Sequence, residues 1–239
     1  MSLDYTNSIP LHIQLKKKIE EKIIKGIYTY QIPSERELMD EYYVSRSTVR
    51  KSIARLVDEG ILEIRRGRGT FVSVKPINDW LGNLSSTNET IVNMGMEPGA
   101  KLIKAKIVKI SEKTPIIELK EAYYFERVRF ANHIPIGIER HYYPVEIGEQ
   151  LIQFDLNKEA FYDLLEREIG VKLFEAKQAL YAVDASKKNA DLLNIPTNSN
   201  LLNAKRKLTD INGKFIEYED ALYRADMYSF QIKLSRKNG

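Results

Sequence analysis

Apolar residues recur every four positions at Leu11, Leu15, Ile19 and Ile23, with Gly26 after them. This spacing puts one apolar stripe on a helix over about 10–25, closed by the glycine. In PSERELMDEYY, Ser34 stands three residues before Glu37, the pattern of a reciprocal cap, and a second helix is expected to about 43. Ser45 then offers an N-cap to a third helix whose inward stripe is Val49, Ile53, Leu56 and Val57 and which stops at Gly60. Past that glycine the period drops to two. ILEIRRGRGTFVSV alternates on both sides of RGRG, which predicts a β-hairpin tipped with glycines and arginines.

KPINDWLGN breaks both periods with Pro76 and Gly82 and carries the single tryptophan, so a linker is placed at 76–84, between domains at 1–75 and 85–239. Alternation dominates the second domain. Strands are expected at 100–110, 121–130, 134–144, 174–183, 202–209 and 215–223, with helices at 159–170 and 187–193. Strands joined by hairpins with few helices make an α+β domain built on an antiparallel sheet.

Charge sharpens the first domain. The chain is only +4 overall, yet residues 1–75 hold 14 basic and 10 acidic side chains while the remainder holds 23 of each. All the excess positive charge lies in the first third. Two of those cations, Arg50 and Lys51, sit with Ser47 and Ala54 on the polar face of the third helix, and the exposed first turn adds Arg46 and Thr48, where free amides and the helix dipole favour a phosphate. A helix pair followed by an arginine-tipped wing suits DNA: the second helix of the pair for the major groove, the tip for the narrow minor groove. Taken alone, Arg36 could instead pair with Glu37 or Asp40, and Lys51 and Arg55 stay open between phosphate neighbours and solvated cations.

With no cysteine, disulfides and thiolate chemistry are excluded. No apolar run approaches membrane length and the N-terminus lacks a signal-peptide core, so a cytoplasmic protein is expected, with no membrane partner. No metal spacing, glycine-rich phosphate loop or nucleophile–base–acid arrangement is visible, and no cofactor or catalytic residue is expected.

IPLHIQLKKKIEEKIIKG, PSERELMDEYYVSRSTVRKSIARLVDEGIL and RRGRGTFV together resemble the winged helix-turn-helix of the GntR family of bacterial transcription regulators over nearly all of 8–73. The resemblance implies that Arg36 touches DNA, as do Ser45, Arg46, Ser47, Thr48 and Arg50 of the recognition turn. It implies too that Gly69 at the wing tip enters the minor groove with Arg66, Gly67 and Arg68 beside it. The implied partner is double-stranded operator DNA, bound by a homodimer.

Residues 84–230 resemble the UTRA effector-binding domain of the HutC subfamily, which shares its fold with chorismate lyase. MGMEPGAKL, RVR, IPIGIERHYYP, FYDLLE and FIEYEDALYRADMYSF carry the likeness. The other common partner domain of the family is a helical bundle that binds metal through several histidines, and this chain has only three. The resemblance implies a small-molecule effector, a sugar phosphate or similar anion. Its anion would meet Ser85, Ser86 and Thr87 and the arginines Arg127 and Arg129. Its hydroxyl or amino groups would meet Glu139, Tyr162, Glu217 and Tyr223. Two positions depart from the family pattern: Ala160 stands where a serine is usual, and Thr87 where an aromatic is usual. The reading is therefore a metabolite-controlled regulator, repression being the commoner mode. A constitutive dimeric DNA-binding protein and a DNA-associated lyase-like enzyme are its alternatives.

Overall fold

A computed structural model describes residues 3–24, 27–28, 31–73, 77–111, 116 and 118–235. Two compact units part mainly between residues 75 and 76. The first begins with α1 (Leu11–Ile24), which buries Leu15, Ile19 and Ile23; the expected stop at Gly26 lies outside the described residues. In α2 (Glu35–Tyr42) the reciprocal cap forms: Glu37 N donates to Ser34 Oγ at 3.3 Å, and Ser34 N donates to Glu37 Oε2 at 2.8 Å. Ser45 caps α3 (Arg46–Asp58), which buries Val49, Ile53 and Leu56 against α1 and α2. Ser52, also buried there, lies 2.8 Å from the His12 carbonyl and 2.9 Å from that of Thr48, which satisfies a hydroxyl the apolar stripe would not lead one to bury. The wing follows as β1 (Leu62–Arg65) and β2 (Gly69–Val72), paired antiparallel with Arg65 opposite Gly69.

The second unit opens with β3 (Ile77–Trp80) and α4 (Thr87–Asn93), both inside or beside the stretch expected to be a linker. That expectation is corrected here. Ile77 is fully buried, and β3 pairs in parallel with β10 (Tyr228–Gln231), a partner some 150 residues away that no local pattern reveals. The main sheet contains β4 (Pro98–Lys109), β5 (Glu121–Ala131), β6 (Ile134–Tyr143), β7 (Glu175–Asp184), β8 (Asn200–Thr209) and β9 (Phe215–Arg224). It is antiparallel throughout, in the order β4-β5-β6-β9-β8-β7.

Helix α5 (Val145–Leu151) and helix α6 (Phe161–Asp163, running on as a π-helical turn over Leu164–Glu168) cover one end of the sheet, and α7 (Lys187–Leu193) precedes β8. Phe125, Tyr143, Leu151, Leu156, Phe161, Leu165 and Leu208 form the main core beneath α5 and α6. Each such side chain contributes about 1.5–3 kcal/mol of burial. Among the described residues, no helix is long and apolar enough to cross a membrane.

One detail of the β5–β6 hairpin decides what the sheet displays. Its two turn residues, Asn132 and His133, have φ of 47° and 65°, the left-handed conformation that matches hairpin twist. Pairing begins with Ala131 opposite Ile134 and Phe130 opposite Pro135, then jumps to Arg129 opposite Gly137. Ile136 is thus the extra residue of a β-bulge. Beyond it Arg127 faces Glu139, and the two share one side of the sheet.

Candidate DNA-binding face and ligand pocket

At the start of α3 the hydroxyls gather around the cap. Ser45 Oγ lies 2.9 Å from Ser47 Oγ and from Thr48 Oγ1, and accepts from the Thr48 amide at 3.2 Å. Glu35, on α2, reaches across to both arginines: Arg46 Nε donates to one carboxylate oxygen at 2.9 Å and Arg50 Nε to the other at 3.0 Å. The hydrogen bond from Arg46 holds the Glu35 carboxyl below its usual range. Sequence reasoning missed Glu35, although its place one residue before Arg36 was in view. Both guanidiniums are anchored through Nε, which leaves their outer NH₂ groups toward solvent, where a phosphate or base edge could meet them.

Arg36 is exposed and pairs with neither Glu37 nor Asp40; the Glu37 carboxylate is occupied by the cap. At the wing, Arg66, Gly67 and Arg68 are exposed, and Gln31 Nε2 donates to the Arg68 carbonyl at 3.2 Å. Gly69 has φ of 116°, which calls for glycine, and a Cβ there would also push aside the end of the Gln31 side chain, 2.5 Å away. Lys16 and Lys18 of α1 are held by Glu59 and Glu21 at 2.7 and 3.1 Å.

Arg50→Ala is expected to weaken operator binding by about 1–3 kcal/mol if Arg50 reads a base, while Arg66→Ala lowers the salt slope by about one unit. Titrations over a salt series check this; unchanged affinity in both variants rules out this face.

In the second unit, alternate residues of β5, β6, β9 and β8 point to one side of the sheet and build a buried charged pocket. Ser86, Thr87, Arg127, Arg129, Glu139, Tyr162 and Glu217 line it, as does Ala160. Two expected residues do not. Ser85 offers only its carbonyl, to Arg206 Nη1 at 3.5 Å, and Tyr223 stands behind the wall, its hydroxyl 3.2 Å from Glu139 Oε1. Asn88, His141, Phe161, Arg206 and Glu219 complete the pocket and were not expected. The signal for two of them was the strand period itself, since His141 follows Glu139 by two and Glu219 follows Glu217 by two.

The charges interlock. Arg127 Nη2 lies 3.4 Å from Glu139 Oε2, its Nη1 donates to the carbonyls of Leu156 and Glu159, and its guanidinium stacks 3.8 Å over the Phe161 ring. Arg129 Nε is 3.6 Å from Glu139 Oε2, and Nη2 donates to Asn88. Thr87 Oγ1 donates to Glu139 Oε1 at 2.6 Å. Arg206 Nε donates to Gln178 at 2.6 Å and lies 3.5 Å from Glu219, while its Nη1 donates to the Tyr162 hydroxyl at 3.0 Å. Glu126, which alternates with Arg127, faces the opposite side and pairs with Arg140 and Lys188 at 3.1 and 2.9 Å.

His141 sits between carboxylates, Nδ1 at 2.7 Å from Glu217 and Nε2 at 3.3 Å from Glu139. Burial opposes its charge, but hydrogen bonds to Glu139 and Glu217 prevail and push its pKa up to about 9. Burial raises the carboxyl of Glu219 to about 7 against the pull of Arg206. Glu139 resists the same burial penalty because Arg129 and His141 hold it well below the usual carboxylate range. Ligand atoms of Glu139, His141 and Glu219 lie within 4.8 Å of one another, a spacing able to hold a metal ion. Three neighbouring arginines and a protonated imidazole oppose one there, and favour an anion.

Three buried polar atoms of this pocket have no hydrogen-bond partner: Nε of Arg127, Nε of Arg129 and Oε2 of Glu217. Buried polar groups are nearly always satisfied, so two cationic donors and one carboxylate acceptor left open describe what the pocket can still take. It can accept one anionic group and one hydroxyl or ammonium.

Known proteins share both units. The chain matches the model of bacterial regulatory proteins of the gntR family over residues 11–72 and that of the UTRA domain over 93–229. It is 32% identical over 242 residues to the HTH-type transcriptional repressor NagR of Bacillus subtilis, covering 99% of each chain. With the mannosyl-D-glycerate transport/metabolism system repressor MngR of Escherichia coli it shares 23% identity, over 96% of this chain and 98% of that one. Its backbone resembles the crystal structure of PhnF from Mycobacterium smegmatis with a TM-score of 0.64 at 22% identity, over 93% of this chain and 100% of PhnF, which speaks for the fold alone. These families and relatives are transcriptional regulators, not enzymes. The chain therefore belongs to the GntR family, as a HutC-type regulator that joins a winged helix-turn-helix to a UTRA domain.

Proposed function

We propose that the protein is a homodimeric repressor that releases its operator when a small polyhydroxy anion, a sugar phosphate, enters the charged pocket. The observation that carries this reading is the set of open atoms: Arg127 Nε and Arg129 Nε for the anion, Glu217 Oε2 for a hydroxyl or amino group at the other end. The names of two relatives point the same way, one a mannosyl-D-glycerate system repressor and the other a probable fructoselysine utilization operon repressor. The two departures expected from the family pattern, Ala160 and Thr87, both line the pocket. Thr87 nonetheless contributes a hydroxyl, donated to Glu139.

The two sheet edges support pairing of two copies. Strand β4 carries Lys101, Lys104, Lys106 and Lys109 and is bulged between Leu102 and Lys104, devices that discourage edge-to-edge association. Strand β7 carries one lysine, Lys177, has no bulge, and exposes Leu180 and Tyr181 on an unbroken edge. Its antiparallel setting lets it pair with its own copy about a two-fold axis, the symmetry a palindromic operator requires.

The test is thermal unfolding of the intact protein against a panel of sugar phosphates and amino-sugar phosphates, with each hit carried into operator binding at fixed salt. A ligand at 100 times its dissociation constant is expected to stabilise the protein by about 2.7 kcal/mol, and to weaken a complex of two chains per operator. If no panel member does either, the second unit is a non-sensing module and the reading fails.

A further inference from the structure

The pocket does not end at its wall. Tyr223, behind it, holds Glu139 Oε1 at 3.2 Å and lies 3.3 Å from Thr87 Oγ1. Its ring stacks face to face on Tyr228, with centroids 4.0 Å apart and planes 17° from parallel. Tyr228 in turn donates its hydroxyl to Asp79 Oδ2 at 2.9 Å. All three residues are buried.

The position of Asp79 gives this chain of contacts its meaning. It lies in β3, the first element after residue 75 and so the first that the backbone forms on leaving the DNA-binding unit. Strand β3 has four residues and one strand partner, β10, which carries Tyr228. A two-stranded pair of that length is marginal by itself, so its placement depends on the side chains that pin it. Asp79 is the pin that reaches toward the pocket. A second tie runs from the Asn78 amide to Met94 Sδ of α4, at 3.3 Å, and α4 begins with Thr87.

We propose that Tyr228 and Asp79 are positioning residues that transmit the state of the effector pocket to β3, and through it to the backbone entering the DNA-binding unit. This rests on the reading that the pocket receives the effector. Glu139 Oε1 accepts from both Thr87 and Tyr223, so a ligand hydroxyl that takes over that oxygen releases them. Stacked, buried rings do not slide independently: close packing makes Tyr223 and Tyr228 move as one body, and the hydroxyl of Tyr228 carries Asp79 with it. The other tie, from Glu139 through Thr87 and the length of α4 to Met94 and Asn78, is the longer of the two.

The test is a thermodynamic cycle on operator affinity, measured with the intact protein at fixed salt and without added effector, so that it does not depend on knowing the ligand. Glu139→Gln perturbs the pocket end and Tyr228→Phe cuts the relay while keeping the stacked ring. Glu139→Gln is expected to change operator affinity by about 5-fold or more in the otherwise unchanged protein, the lower end of ordinary allosteric coupling. In the Tyr228→Phe background the same change is expected to shrink to within about 2-fold, the scatter of additive sites. Asp79→Ala, which removes the acceptor of the Tyr228 hydroxyl and so breaks the relay from its other end, is expected to give the same result and serves if Tyr228→Phe does not fold.

Equal effects of Glu139→Gln in both backgrounds overturn the proposal, as does no effect in either. A purely structural role for Tyr228 would lower the melting temperature yet leave the two substitutions additive. Stabilisation by the sugar-phosphate panel is read separately. A non-additive cycle in a protein that binds no panel member keeps the relay and removes the effector assignment; an additive cycle in a protein that does bind one removes the relay alone.

Discussion

Raising the pH from about 6.5 to about 9 is expected to take about 3 kcal/mol of stability from the second unit. The cause is His141, whose folded pKa of about 9 stands above its usual 6.5. A group that binds its proton more tightly when folded adds stability that is complete below the unfolded pKa and is lost as pH rises through the folded one. Glu219, raised from 4.5 to about 7, acts in the same direction over a lower window. Glu139 acts oppositely, its stability present above 4.5 and lost only on strong acidification, because its carboxyl is held down. Urea unfolding of the intact protein, followed through its single tryptophan in the second unit, reads the slope. His141→Gln should start less stable at pH 6.5 and show a much flatter profile up to 9. A wild-type profile level across that range would mean that His141 is neutral, and that Glu139 and Glu217 are bridged by something other than an imidazolium.

Arg129→Ala should raise the effector concentration needed for half-maximal operator release by about 30-fold or more, because removing one partner of a buried charge pair costs about 2–5 kcal/mol. Its guanidinium is only 2% exposed, and its Nε, 3.6 Å from Glu139 Oε2, makes no hydrogen bond, so it is placed to bind an anion more strongly than any surface arginine could. Arg129→Lys separates charge from geometry. If the forked donor matters, lysine recovers little of the loss, since an ammonium cannot reproduce the fixed spacing of a guanidinium. Full recovery by lysine would reduce the role of Arg129 to a point charge, and an unchanged response in both variants would remove it from the pocket. The measurement uses whichever panel member stabilises the unsubstituted protein.

The first unit was legible because everything that shapes it is local. Ser34 with Glu37, and Ser45 before Val49, announce two helix starts within four residues each, and the wing declares itself by its glycines. The second unit was legible only in part. Alternation found the strands, and the family likeness supplied Arg127, Arg129, Glu139 and Glu217, yet His141 and Arg206 were passed over although they lie on the same face. Which face a strand residue takes depends on bulges and on partners far along the chain, and the residues themselves do not say. Ser86 and Glu89 repeat the capping pattern of Ser34 and Glu37, so α4 was readable, but Pro76 and Gly82 made the region look like a linker. Strand β3 was not readable at all, since only Tyr228–Gln231 makes it a strand.

The bulge at Ile136 sets how this pocket can vary. Point substitutions can exchange any one lining side chain and leave the rest in place. The turn alone sets a register in which Ile138 would face Arg127, and the one extra residue shifts it so that Glu139 does. Were the same chain to pair there without a bulge, every side chain of β6 beyond that point would change sides, so Glu139 and His141 would leave the pocket and Arg140 and Tyr142 would enter it. Deleting the bulged residue keeps Glu139 opposite Arg127, so the pocket survives a one-residue deletion at Ile136 but not a slip of register at constant length.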